Sequence, residues 1–311
     1  MPVKVVIIAD PGIDTAFALA LALNDPNLEV LAIVASAGNV PAETATRNVH
    51  LLINSLDPPR WPRIGAAWPF ESDLSGETLH GPEGLGGMKI PPVSLLQPSP
   101  GERVLYELVR EHPRELTVLV LGPCTMFARA IDRDPDLPSL IDRVIIVGGC
   151  VDGPGNAGPV SEFHFAFDPV SARRALRAGA MLQLLPLDQS RRLIFSPSDL
   201  LELPEPSSPT SQFLRAIVPW GIRATSQLYG VEGFHLKDVL GVVAASQPKS
   251  VTFAQVSVDV ELRGELTRGM SVVDRRAGAP SPNVQLAVDV ELPEVRAYIR
   301  RILGRSGTGS V

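Results

Sequence analysis

Short runs of β-branched and aliphatic residues recur along the chain at Val3–Ala9, Val30–Ala35, Leu116–Leu121, Val144–Val147 and Met181–Leu187. Between them lie Phe17–Leu23, Ala42–Leu56, Arg103–Arg110 and Val170–Leu176, whose apolar residues return every third or fourth position. A strand that feeds a helix and returns to a parallel strand crosses over right-handed. The alternation therefore predicts an α/β fold, with a mostly parallel central sheet flanked by helices. Ligands in such sheets bind beyond the carboxyl ends of the strands. Polar residues gather at those ends: Asp10 after VVIIA, Asn39 after LAIVASAG, Thr125 after VLVLGPC, Asn156 and Glu162 after VIIVGG, and Asp188 after LQLLPL.

Two Pro-rich stretches, Pro91–Pro100 and Leu203–Ser211, read as loops, because proline lacks a donor and disfavours helix before it. From Phe253 the text alternates like strand (VSVDVELRGEL, then VQLAVDVEL) before a last helix near Pro293–Leu303. The expectation is one domain over 1–303 and a disordered tail over 304–311. With 311 residues, 45% hydrophobic and 20% charged, the chain can bury a sizeable core. Its net charge of -6 offers no field to attract a phosphate backbone, so nucleic acid is excluded as a partner. No stretch approaches the roughly 20 apolar residues of a membrane span, and Lys4 and Asp10 bracket an apolar run too short for a secretory signal, so a soluble, cytoplasmic protein is expected. Cys124 and Cys150 are too few for a disulfide framework and read as packing residues.

The chemistry-bearing text begins with IIADPGIDTAFALALAL. A strand ends at Ala9, Pro11-Gly12 makes a tight turn, and a helix begins near Asp14, which holds two carboxylates beside a positive helix end. Taken alone, Asp14 also reads as a helix cap. Together with Asp10 it points to function.

DPGID resembles the N-terminal DxDPGxDD signature of the inosine–uridine-preferring nucleoside hydrolases. Further segments agree in order and spacing: SAGNV at Ser36–Val40, HGPEGLGG at His80–Gly87, LGPCT at Leu121–Thr125, GGCVDGPGNAGPVSEFHFAFDP at Gly148–Pro169, KDVLGVVAA at Lys237–Ala245 and the closing VELRGELTRGMSVVDRR. The resemblance implies hydrolysis of the N-glycosidic bond of a ribonucleoside, with water attacking the anomeric carbon and the base leaving an oxocarbenium-like sugar. It also implies a calcium ion, a homo-oligomer (dimer or tetramer) and a role in purine or pyrimidine salvage. Residue by residue, it makes Asp10 the general base and a metal ligand, Asp14 a ribose ligand, and Asp238, Thr15 and the Thr125 carbonyl metal ligands. Asn39, Asn156, Glu162 and His164 then line the sugar pocket. His80 sits on a glycine-rich lid over the base, Tyr229 contacts the base, and Trp220 fills the core beside it. Lys237 stands in the place of an acid for the leaving base, with partial burial lowering its pKa, and His235 reads as a half-buried histidine.

Four positions depart from the family pattern. Ile8 and Thr15 replace aspartates, His164 replaces an asparagine, and Lys237 replaces a histidine. Calcium takes six to eight oxygens and its affinity follows the ligand charge, so Thr15 weakens the expected metal shell. A metal-depleted nucleoside- or sugar-binding protein on the same scaffold is the alternative reading.

Overall fold

The computed structural model describes residues 1–88, 98–203 and 208–305. Twelve strands are present among them: β1 (Val3–Ala9), β2 (Leu28–Ala35), β3 (Arg63–Ala66), β4 (Ser99–Pro100), β5 (Leu116–Leu121), β6 (Arg143–Val147), β7 (Leu182–Leu185), β8 (Ile194–Phe195), β9 (Phe234–His235), β10 (Val251–Val260), β11 (Ser271–Asp274) and β12 (Val284–Val290). Ten form one sheet in the order β11-β10-β12-β7-β6-β5-β1-β2-β3-β4. From β12 to β4 all neighbours are parallel, and β10 and β11 extend the edge antiparallel. The separate pair β8-β9 is antiparallel.

Strands buried on both faces read as unbroken apolar runs, and β1 from Val5 and β5 from Val118 do so. Val5, Ile7 and Ala9 face one core layer, and Val6 and Ile8 face the other. Ile8, where the family pattern carries an aspartate, is fully buried among aliphatic side chains. The helix Ile13–Asn24 is buried without interruption from Ile13 to Ala22. Its ALALAL text suits that position, since alternating small residues let it pack between the sheet and the helices Pro209–Tyr229, Val239–Ser246 and Leu292–Arg305.

The strand order turns at β1. The chain runs outward through β2, β3 and β4, then resumes on the other side with β5, β6 and β7. Register places Ala9 opposite both Ala35 and Leu121, so the residues leaving β1, β2 and β5 emerge level with one another. Doubly wound sheets open their ligand crevice at this reversal.

Two segments differ from the sequence reading. The run Met181–Leu187 is a strand only over Leu182–Leu185, because Pro186 has no N–H for the ladder and instead starts the helical turn Leu187–Ser190. Within Leu203–Ser211 the loop ends sooner than expected: Ser208 accepts from the Ser211 N–H as a helix cap and Pro209 opens the long helix. Residues 91–97 and 204–207 of the expected loops and 306–311 of the expected tail lie outside the described residues; Gly304 and Arg305 end the last helix. No described helix is long and apolar enough to cross a membrane.

Candidate active site

Three carboxylates meet where β1 and β5 end. Asp10 leaves β1 and is fully buried, Asp14 lies in the first turn of the helix Ile13–Asn24, and Asp238 immediately precedes Val239–Ser246, from the far half of the chain. Each has an Oδ1 atom shielded from solvent and without a hydrogen-bond partner. An unpaired buried carboxylate oxygen is costly, so three together mark acceptors reserved for a ligand.

Backbone and glycine fix Asp10. The Asn39 N–H donates to Asp10 Oδ2 (3.1 Å), and the Asn39 side-chain amide donates to the Asp10 carbonyl (2.9 Å). A Cβ on Gly38 would fall 2.2 Å from Asp10 Oδ2, and one on Gly122 2.9 Å from the Asp10 nitrogen, so neither place has room for a side chain. Asn39, expected in the sugar pocket, holds Asp10 through both bonds. Burial raises the Asp10 pKa, with His164 opposing the rise. Burial and then Asp14 raise that of Asp238 well above the ordinary value.

Glu162 caps the short helix Phe163–Phe167. Its Oε2 accepts from the Gly149, His164 and Phe165 amides, and Oε1 lies 3.8 Å from His164 Nδ1. His164 Nδ1 is 3.0 Å from the Val147 carbonyl, to which it donates, and Nε2 is 3.5 Å from Asp10 Oδ2. Burial alone would lower the His164 pKa, but Glu162 and Asp10 hold it at about 10. Asn156 accepts from the Phe163 N–H and fixes the loop before this helix.

The Lys237 ammonium is 3.8 Å from Asp14 Oδ2. The expectation that burial lowers its pKa is reversed. Desolvation does pull downward, but Asp14, Glu162, Asp238 and Asp10 together raise the value. A lysine in such company is a fixed cation rather than a proton donor at neutral pH. His80, expected on a glycine-rich lid over the base, is buried in the structure. It ends the turn Glu77–His80, is 1% exposed, accepts the Ile13 N–H at Nδ1 (3.1 Å), and places Nε2 3.9 Å from Asp14 Oδ1. Burial pushes its pKa down to about 4, so the ring is neutral. Trp220 packs, half-buried, over Gly81, Gly86 and Gly87. Tyr229 is 49% exposed at the end of its helix, bound to none of the carboxylates. His235 points Nδ1 at the Arg191 carbonyl (2.8 Å). Asp188 accepts from the Val151 and Asp152 amides and serves that loop. Both thiols are free and buried, and burial raises their pKa, to about 11 for Cys150, which makes them poor nucleophiles.

The donors expected for calcium do not fit a hard divalent ion. Thr15 Oγ1 donates to Asp238 Oδ2 at 2.6 Å, and Thr125 Oγ1 donates to Asp168 Oδ2 at 2.7 Å. Asp10 Oδ2 already accepts from the Asn39 amide, leaving Oδ1 of Asp10, Oδ1 of Asp238 and the Thr125 carbonyl as the unengaged oxygens of this set, so most of the six oxygens such an ion needs would have to come from water or substrate. Among the described residues no three His, Cys, Asp or Glu side chains are grouped so that they could hold a metal ion.

The residue reading missed Asp168 and an aromatic wall. Asp168 precedes Pro169 and caps the helix Pro169–Leu176 while holding Thr125; an Asp-Pro pair at a helix start is the signal that could have found it. Phe70 and Phe167 rings lie 5.4 Å apart, and Phe163 stands 5.9 Å from both Phe167 and His164. Phe70 and Phe167 line a cleft of about 310 Å³ with Gly38, Asn39 and Ser75 beside Asp10.

Comparison with known proteins finds relatives along nearly the whole chain. The family model described as inosine-uridine preferring nucleoside hydrolase matches residues 5–297. A pyrimidine-specific ribonucleoside hydrolase, RihA, from Klebsiella pneumoniae is 32% identical over 296 residues, covering 94% of this chain and 95% of its own. A probable uridine nucleosidase 2 from Oryza sativa subsp. japonica is 30% identical, with 96% and 93% covered. Among solved structures, a plant nucleoside hydrolase superposes with a TM-score of 0.91 at 27% identity, covering 97% of this chain and 99% of that one.

Proposed function

Because the chain belongs to the inosine-uridine preferring nucleoside hydrolase family, we propose that its carboxylate cluster hydrolyses the N-glycosidic bond of ribonucleosides, giving ribose and a free base. The observation that carries this reading is the convergence of the shielded, unpartnered Oδ1 atoms of Asp10, Asp14 and Asp238 at the sheet reversal. Asp10 takes a proton from water as its oxygen bonds to the anomeric carbon. The bond from that carbon to the base nitrogen breaks, and its electron pair leaves with the base. The sugar ring turns cationic on the way, and buried carboxylates stabilise a positive charge strongly in a water-poor site.

Asp14 and Asp238 accept from the ribose hydroxyls, and Glu162 Oε1 receives the 5′-hydroxyl. Three amides hold the other oxygen of Glu162, so that carboxylate is already oriented. Lys237 stabilises negative charge on the departing base as a cation, without giving up its proton. The base is placed against Phe70, Phe163 and Phe167. Pyrimidine ribonucleosides, uridine first, are the proposed substrates, because curated relatives at 30% identity or above are named for them. Calcium has no part in these steps, since the donor set does not fit it. The test compares uridine with 2′-deoxyuridine. Base release from uridine with at least a hundredfold loss for the deoxy compound supports a site that grips the diol; equal rates refute it.

A further inference from the structure

Charge is what the four departures share. Ile8 and Thr15 each remove a carboxylate, and His164 and Lys237 each put a basic group where the family pattern has a neutral or weakly basic one. Ile8 lies in the aliphatic core, and the other three move the pocket toward positive charge. A bound calcium would supply two units. The carboxylate lost at Thr15 and the Lys237 ammonium already supply two, whatever the state of the His164 ring.

The added groups sit on the carboxylates rather than at a distance. Lys237 Nζ is 3.8 Å from Asp14 Oδ2, and His164 Nε2 is 3.5 Å from Asp10 Oδ2. Thr15, in place of a carboxylate, donates its hydroxyl proton to Asp238 Oδ2 at 2.6 Å. Each of the three catalytic aspartates thus has one oxygen answered by a donor or cation from the chain and one left shielded and free. Interactions of this kind are strong where water is excluded. An ion placed among them would be repelled by the ammonium and would find Thr15 already engaged.

We infer that Lys237, His164 and Thr15 replace the divalent cation, so that this chain hydrolyses ribonucleosides with no metal ion bound. The inference rests on the hydrolase reading above for its catalytic half. Its binding half stands alone.

The purified full chain, treated with EDTA and dialysed, is titrated with calcium chloride and with magnesium chloride in a calorimeter, and uridine hydrolysis is followed in EDTA and in millimolar calcium. The expected result is no saturable heat and rates within twofold of each other. One saturable site, or a loss of more than tenfold in EDTA that calcium restores, overturns the inference. If no ribose is released in either buffer, the hydrolase reading fails, and the calorimetry still decides whether the pocket takes an ion. As a converse, T15D/H164N/K237H restores the family residues at three positions and is expected to gain a saturable calcium heat. A folded triple variant that binds no calcium overturns the assignment to these residues; should it fail to fold, the titration of the unaltered chain decides.

Discussion

Replacing Asp10 with asparagine separates catalysis from folding. Its side chain is fully buried, and burial raises its pKa, so the ionised form is less favourable in the folded chain than in the unfolded one. Asparagine has the same shape, carries no charge, and keeps an oxygen for the Asn39 N–H. Stability should therefore hold or rise. Activity should not. A positioned general base contributes about 10²- to 10⁴-fold, or about 3–6 kcal/mol of transition-state stabilisation at about 1.4 kcal/mol per factor of ten. Uridine hydrolysis, followed by reducing sugar, is expected to lose kcat/KM by that factor, while the melting temperature stays at or above that of the parent. A variant keeping more than a tenth of the activity refutes Asp10 as the base. A parallel fall in melting temperature would mean that the carboxylate holds the fold instead.

Thr15→Val removes the hydroxyl that donates to Asp238. Hydrogen bonds to charged groups contribute about 1.5–3 kcal/mol, so a drop in chemical-denaturation stability of about 2 kcal/mol is expected, and a change within 0.5 kcal/mol (roughly the noise of surface substitutions) counts against that bond. Lys237→Met should lower kcat about 100-fold, the scale for losing one preorganised charge-stabilising donor, with KM much less affected; unchanged kcat would remove Lys237 from the reaction. The His164 pKa is raised to about 10 from 6.5, so the bound proton stabilises the fold fully below about pH 6.5, and that contribution is lost as pH rises toward 10. Melting temperature should decline across that window, and His164→Asn should flatten the decline; a parent profile already flat there would contradict the charged ring.

The positions of Asp10, Asp14 and Asp238 were legible because each stands at an element boundary within a text of its own, DPGID or KDVLGVVAA, and because strand-helix alternation fixes which sheet end holds the site. What could not be read is how side chains from distant segments pair. Thr15 and Asp238 are 223 residues apart, and nothing local says that one hydroxyl will answer that carboxylate. The sign of the Lys237 shift has the same origin: local text shows burial, whereas Asp14 and Asp10, Glu162 and the adjacent Asp238 decide the outcome. The glycines around His80 suggest a moving loop, and nothing local shows that its ring accepts the Ile13 amide across 67 residues. Tyr229 and Phe70 show the same limit, since a helix end and a loop offer no period from which to infer what they face.

Hydrolysis of uridine in water enriched in heavy oxygen tests the central claim most directly. If Asp10 activates water against the anomeric carbon, mass spectrometry of the freshly released ribose, corrected for exchange at its anomeric hydroxyl, will show one heavy oxygen per sugar, with equimolar unlabelled uracil. Saturable uridine binding without any release of ribose or uracil would contradict it.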